Sequence, residues 1–220
     1  MKNLIIIFSV FCLLFCSYNL KGQSWHTYFG DTLYFTTSTC PSHCPYVDVI
    51  YVDKDSIFIA GAIENAGDLF VMGIAKWHNY QWYNLGITFS NDDIKCFVKH
   101  EDKLWVGGYT GWYPNWVSSL RALSCWDGNE WTGPYTIPPN GDVFDVIKHN
   151  DTLFFCGNFF EIDDVGGGAT VKAYHNGTWI GIGHVSVAHG MVYAIYNDEL
   201  LLGTRYTGIY KRIGMTSWAK

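Results

Sequence analysis

One segment of the chain carries residues suited to binding chemistry, an aromatic run between Tyr109 and Trp116. It holds Tyr109, Trp112, Tyr113 and Trp116 together with glycine and proline. Aromatic side chains on a loop offer a large apolar contact with a polar tip, which suits sugars and protein surfaces. We therefore expect a ligand-binding loop at these four residues. The alternative is that Trp112 and Trp116 pack against the edge of a sheet.

A second segment, Cys40-Pro-Ser-His43-Cys44, brings two thiols and an imidazole close together. A disulfide between Cys40 and Cys44 that staples the loop is the favoured interpretation, because a structural zinc site needs four ligands and no second pair is evident. The remaining cysteines lie within apolar runs, where cysteine usually packs as a small hydrophobe. They are Cys96, Cys125 and Cys156.

Residues for catalysis or for a cofactor form no recognisable motif. The acidic groups at 91–93 and 161–164 match no calcium-binding pattern, and solvated turns explain them better. No serine stands in a Gly-x-Ser-x-Gly context, and neither a helix nor a lysine directly follows the glycines at 166–168. His100 and His149 recur at one position of a repeat, which indicates a role in a turn. We expect no enzyme activity and no cofactor.

The composition limits the class of protein and its partners. The 220-residue chain is 49% hydrophobic, 18% aromatic and only 15% charged, which is the profile of a globular chain of one domain. Its formal net charge is −6, and lysine and arginine form no cluster. Both observations argue against binding to nucleic acid or to an anionic membrane, because each of these partners requires a basic surface.

The N-terminus has the pattern of an export signal. Lys2 precedes an apolar stretch at 4–15, which is too short for a membrane-spanning helix of about 20 residues. A polar segment follows, so we expect a signal peptide at 1–23, one domain at 24–220 and no membrane span. A lipid anchor at Cys16 is the alternative. Either form of processing predicts a secreted or cell-envelope protein.

An internal repeat organises the chain after the signal. An aspartate followed by a hydrophobic run and small residues recurs at intervals of 47, 49 and 47 residues. A bulky residue followed five positions later by tryptophan also occurs once in each repeat, at intervals of 49, 48 and 39 residues. The aspartates are Asp55, Asp102, Asp151 and Asp198, and the second marker is Trp77/Trp82, Trp126/Trp131, Tyr174/Trp179 and Ile213/Trp218.

Each repeat predicts four short antiparallel strands. In the third copy they are 143–148, 153–158, 170–175 and 178–182, and Asn176-Gly177 between the last two is a strong hairpin signal. A four-stranded unit of this length matches one blade of a β-propeller, which must stack on neighbours to bury its faces. We expect an all-β propeller of about four four-stranded blades, with the recurring tryptophans packed between blades.

The third copy also combines a small residue, Gly-x-Phe, a glycine-rich loop, Asn-Gly and a tryptophan. The residues are Cys156 to Phe159, Gly166 to Gly168, Ala173 to Gly177 and Trp179. This combination resembles kelch-like propeller repeats of extracellular bacterial proteins and of fungal cortical-marker proteins. The resemblance extends from about Trp25 to Lys220 and implies the propeller fold, whereas propellers serve many unrelated functions.

Three hypotheses address how such a ring closes. The run Trp25 to Phe29 resembles an outermost strand and would complete the last blade, closing a four-bladed ring. Alternatively the propeller is incomplete, or its ring is shared between chains. The expected function is non-catalytic binding of an extracellular protein or a glycan through the loops. The alternative is a propeller portion of a larger secreted enzyme or adhesin.

Overall fold

The computed structural model describes residues 46–86, 94–109, 122–137, 139–159, 162–163, 170–183, 185 and 189–220, with the backbone of 33–34. The predicted signal peptide and several predicted site residues lie outside these ranges: Cys16, Cys40, Cys44, Trp112, Tyr113 and Trp116. The described residues form strands, turns and bends and contain no helix. Among these residues there is therefore no helix that could cross a membrane.

Four antiparallel sheets of four strands, one for each repeat, make up most of the described structure. Sheet 1 contains β2 (Tyr46–Asp53), β3 (Ser56–Ala62), β6 (Ile74–His78) and β7 (Gln81–Tyr83). Sheet 2 contains β8 (Ile94–His100), β9 (Lys103–Gly108), β10 (Leu123–Trp126) and β11 (Trp131–Thr132). Sheet 3 contains β12 (Val143–His149), β13 (Thr152–Gly157), β14 (Val171–His175) and β15 (Thr178–Gly181). Sheet 4 contains β16 (Gly190–Tyr196), β17 (Glu199–Thr204), β18 (Gly208–Arg212) and β19 (Trp218–Ala219).

A small three-stranded sheet accompanies sheet 1. It is formed by β1 (Leu33–Tyr34), β4 (Asn65–Ala66) and β5 (Leu69–Phe70). The last two strands belong to the connection between β3 and β6, and β1 pairs with β4.

The strands of sheet 3 confirm the boundaries predicted for the third repeat to within one residue at each end. Asn176 and Gly177 have φ angles of 47° and 77°, as a tight two-residue hairpin turn requires. Asp102, Asp151 and Asp198 adopt φ angles of 59°, 59° and 63°. Aspartate tolerates this left-handed conformation better than most residues, which explains its presence in the turn between the first two strands of sheets 2, 3 and 4. In sheet 1 Lys54, the residue before Asp55, has a φ angle of 55°.

The first strands of successive sheets lie against one another in the order β2, β8, β12 and β16. A hydrophobic cluster fills each of the three interfaces between successive sheets. The recurring tryptophan lies in each interface and donates its indole N–H to a backbone carbonyl of the segment just after the last strand of the preceding sheet. The bonds are Trp131 to Leu85 at 2.6 Å, Trp179 to Pro134 at 3.0 Å and Trp218 to Ile182 at 2.9 Å. The predicted packing of tryptophan between sheets is therefore confirmed at these three positions.

The fourth repeat differs from the other three in two ways. Trp218 pairs with Arg212, and Ile213, the bulky residue of the sequence marker, is 59% exposed, because this hairpin turn is one residue longer than in the other repeats. The outermost position of sheet 4, expected for the Trp25 segment, is taken by β19 from Trp218–Ala219. Residues 25–29 themselves lie outside the described ranges.

Candidate functional site

The first strand of every sheet carries a β-bulge seven residues before the recurring aspartate. The bulged residues, which have no register partner, are Asp48, Lys95, Phe144 and Met191. Small residues in the second strand make room for the bulge, since a Cβ on Gly61 or Gly157 would collide with a backbone carbonyl of the bulged strand. A bulge redirects a side chain out of the regular alternation, so these four residues can serve a purpose other than core packing.

Three of the bulged residues join Tyr109 in a continuous row, which we call the bulge row. Lys95 Nζ lies 2.9 Å from Asp48 Oδ2 and 5.0 Å from the centre of the Tyr109 ring. Tyr109 in turn meets Phe144 edge to face, with ring centres 6.0 Å apart. Asp48, Lys95 and Phe144 come from the first strands of sheets 1, 2 and 3, so the packing of the sheets fixes the geometry of the row.

Tyr109 connects the bulge row to the loop predicted from the sequence. It directly follows β9, is 38% exposed, and is the first residue of the aromatic segment 109–116. The other three predicted loop residues lie outside the described ranges. Asp48, Lys95 and Phe144 were not predicted as site residues from the sequence. The signal that could have found them is their common repeat position, seven residues before the recurring aspartate, which holds an acid, a base and an aromatic residue in turn.

A second aromatic group lies at the same end of the strands in sheet 4. Tyr206, in the connection between β17 and β18, is 70% exposed. The guanidinium of Arg205 lies 5.4 Å from the centre of its ring, and the ring of His189 lies 6.4 Å from it. A cation beside an exposed tyrosine thus occurs twice at this end of the molecule, at Tyr109 and at Tyr206.

The described residues offer little for catalysis or metal binding. Cys96, Cys125 and Cys156 are free and buried, as expected. Burial raises the pKa of each thiol, so all three stay protonated and unreactive at neutral pH. Within the part of the chain that the structure describes, no three His, Cys, Asp or Glu side chains come together as a metal site. The bulge row itself offers an aromatic ring for stacking and two charged groups for hydrogen bonds.

The two repeated histidines lie at the opposite end of the first strands. His100 is 2% exposed, and neither of its ring nitrogens forms a hydrogen bond with a described residue. Burial lowers its pKa, which keeps the imidazole neutral at pH 7. His149 Nε2 lies 2.7 Å from Asp198 Oδ1, which links sheet 3 to a turn of sheet 4. Both histidines therefore support turns and sheet packing, away from the bulge row.

A groove of about 280 Å³ lies beside sheet 1, against the indole ring of Trp82. Its other lining residues belong to the connection between β3 and β6: Ala66, Gly67, Asp68 and Leu69. Asp68 is the only charged residue among its described lining residues, which do not form the set of convergent polar groups that marks a ligand pocket.

The fold and the site define an all-β protein of four repeated sheets with aromatic and charged side chains gathered at one end of the strands. No protein-family model and no curated protein matches the chain. Among solved structures it is similar to the extracellular domain of BT4673 from B. thetaiotaomicron, described as a one-component system, at 12% identity and a TM-score of 0.55. That match covers 88% of this chain and 24% of the other, so this chain spans about a quarter of the length of its neighbour.

The chain is also similar to the computationally designed Ika4 protein, at 9% identity and a TM-score of 0.49, over 84% of this chain and 99% of that one. At such identities the likeness concerns the fold alone.

Proposed function

We propose that this chain is an exported, non-catalytic β-propeller module of four blades that binds an extracellular protein or a glycan. The ligand-binding face is the end of the strands that carries the bulge row and the aromatic segment 109–116. The four consecutive four-stranded sheets support the propeller arrangement, because their first strands lie side by side as the inner strands of successive blades do. The apolar N-terminal segment that follows Lys2 supports export.

The observation that carries the proposal is the bulge row itself. It combines an ion pair, a cation beside a ring and an edge-to-face aromatic contact on three different sheets. Because the sheets are packed together, these side chains are held in place before any ligand arrives, which lowers the entropy cost of binding. A partly exposed tyrosine flanked by lysine and aspartate offers one ring for stacking and two charged groups for hydrogen bonds, a combination suited to sugars and polar protein surfaces.

The test is a screen of the purified protein against immobilised glycans and extracellular proteins, followed by titration of any ligand found. We expect Tyr109→Ala to weaken binding by about tenfold or more, as truncation of a central aromatic contact usually does. Tyr80→Ala is the matched control, because Tyr80 is 83% exposed in the turn between β6 and β7, at the opposite end of the strands. Equal binding by the wild type and both variants would exclude the bulge row as the site.

Two further sets of variants define the extent of the face. Trp112→Ala and Trp116→Ala test the part of the predicted loop that lies outside the described residues. Tyr206→Ala tests whether the ligand reaches sheet 4. If both Tyr109→Ala and Tyr206→Ala weaken binding, the ligand spans most of the face. If only Tyr109→Ala weakens binding, the ligand is held by the bulge row.

A further inference from the structure

One repeat position shows which side of a sheet meets the sheet before it. This position lies five residues before the recurring aspartate, in the first strand of each sheet. Its residue is almost fully buried in sheets 2, 3 and 4, where exposures are 7% for Phe97, 6% for Val146 and 5% for Tyr193. In sheet 1 the equivalent residue, Ile50, is 65% exposed. We call this side the front face of a sheet; the front face of sheet 1 is left open at Ile50.

The opposite side, the rear face, meets the following sheet. A residue at the start of the third strand occupies the rear face in each repeat and is completely buried in sheets 1 to 3: Ile74, Leu123 and Val171, each 0% exposed. The equivalent residue in sheet 4 is Ile209, which pairs with Gly203 and is 65% exposed. Val192 in the first strand of sheet 4 is 54% exposed on the same side. The rear face of sheet 4 thus carries exposed apolar side chains that no described residue covers, beside an ion pair of Lys211 with Glu199 at 3.0 Å.

The open rear face of sheet 4 and the partly open front face of sheet 1 are the two sides of a contact that the molecule already forms three times. In each of these three contacts between successive sheets, which we call the sealed interfaces, the rear face of one sheet packs against the front face of the next. Sheet 4 retains an unpaired rear face and sheet 1 a partly open front face. Among the described residues, β2 and β16 do not pack against each other as the other successive first strands do. The two faces of one chain therefore do not cover each other.

The connection between β3 and β6 does not block the front face of sheet 1. Ile63 and Ala66 from this connection cover part of that face. Phe159 and Ile162 occupy the equivalent places in sheet 3, where they lie inside the sealed interface with sheet 2. The same arrangement in sheet 1 is therefore compatible with a neighbouring sheet.

We propose that a second copy of this chain covers these faces. The rear face of sheet 4 in each copy packs on the front face of sheet 1 in the other, which gives a closed head-to-tail dimer with eight sheets. A contact between two unlike faces must either close into a ring or continue as a filament. Two copies give a ring within the range of about 4–8 blades that propellers adopt, whereas three copies would exceed it. This inference is independent of ligand binding at the bulge row.

The test is sedimentation equilibrium of the full-length gene product purified from a secreting host. We expect the wild type to be a dimer. Ile50→Glu and Ile209→Glu should each weaken association by at least about 100-fold, because each places an unpaired charge in both contacts. Tyr80→Glu, at an exposed turn outside both faces, should leave the dimer intact. Circular dichroism and thermal unfolding of the monomeric variants establish that they are folded.

A mixture of the two variants makes the test specific for head-to-tail contact. The Ile50→Glu chain keeps an intact rear face and the Ile209→Glu chain keeps an intact front face, so an equimolar mixture should regain a dimer through one sound contact. A wild type that is monomeric at every concentration would overturn the proposal. So would a dimer that Ile209→Glu breaks but Ile50→Glu does not, because sheet 4 would then pair with its own copy. A dimer insensitive to both substitutions would also overturn it.

Discussion

The interface between sheets 2 and 3 and the rear face of sheet 4 use the same repeat positions with opposite results. In the former, Cys96 and Leu123 on the rear face of sheet 2 are 4% and 0% exposed. They pack in one cluster with the completely buried Phe155 of sheet 3, whose ring centre lies 5.8 Å from that of Trp105 and 5.1 Å from that of Trp179. In the latter, Val192 and Ile209 are more than half exposed. The residues at both places are apolar, so residue type does not account for the difference. The difference in exposure arises because a neighbouring sheet is present at one place and absent at the other. We therefore expect the side chains of the sealed interfaces to contribute most of the free energy of unfolding.

The largest expected effect is the loss of an aromatic side chain from a sealed interface. Phe155→Ala should lower the free energy of unfolding by about 3–5 kcal/mol, because it leaves a cavity that the surrounding rings cannot fill. Ile209→Ala should change it by less than about 0.5 kcal/mol when the protein is dilute enough to be monomeric. Urea denaturation of both variants at the same low concentration measures the difference. Similar losses at the two positions would mean that the rear face of sheet 4 is covered within the monomer.

A half-buried carboxylate provides the next largest effect. Asp145 Oδ2 accepts the backbone N–H of Tyr193 in sheet 4 at 2.6 Å, and Oδ1 accepts that of Val146 at 2.9 Å. Asp145→Ala should cost about 1–3 kcal/mol, because it leaves a partly buried N–H without an acceptor. Asp145→Asn is the matched control and should cost less, since its amide oxygen can accept the bond to Tyr193. Equal losses for the two variants would show that the charge of Asp145, and not its acceptor role, stabilises the interface.

Removing one indole hydrogen bond should destabilise a sealed interface less than removing a whole aromatic side chain. Trp179→Phe keeps an aromatic ring but leaves the carbonyl of Pro134 without its donor, which should cost about 1 kcal/mol from the hydrogen bond alone. Trp131→Phe should cost a similar amount, because its bond to Leu85 is equivalent. Thermal or urea unfolding measures both. Widely different losses would mean that these two interfaces are less alike than their equivalent hydrogen bonds indicate.

The sequence predicts the repeated local features of this fold better than its contacts in space. The strands of sheet 3 and the packing of Trp131, Trp179 and Trp218 follow from periodic markers, because each repeat meets the same physical requirements. The bulge row does not follow from these markers, since it depends on which first strands lie side by side and on where each strand has its bulge. The pairing of Arg212 with Trp218 depends on a single extra residue in a turn, which a fixed spacing cannot reveal.

The smallest expected effect concerns the pH dependence of the interface between sheets 2 and 3. His100 is buried there beside Trp105, and Glu101 Oε1 lies 3.6 Å from its Nε2. Lys148, Asp151 and His175 also influence its charge, but burial is the largest cause and lowers its pKa below the ordinary value of 6.5. Between that value and the lower pKa of the folded protein, the unfolded chain binds a proton that the folded chain does not. The free energy of unfolding should therefore fall as the pH drops below about 6.5.

His100→Phe isolates this contribution. The phenyl ring fills a similar volume and cannot be protonated, so the variant should lose less stability than the wild type as the pH falls from 7.5 to 5.5. The measurement is urea denaturation at several pH values in this range, compared as the difference between the two proteins. That difference should move in favour of the variant as the solution becomes more acidic, because only the wild type must keep a neutral imidazole between the sheets. Parallel curves would show that His100 takes up its proton without opening the interface, and that this part of the sealed interface admits water.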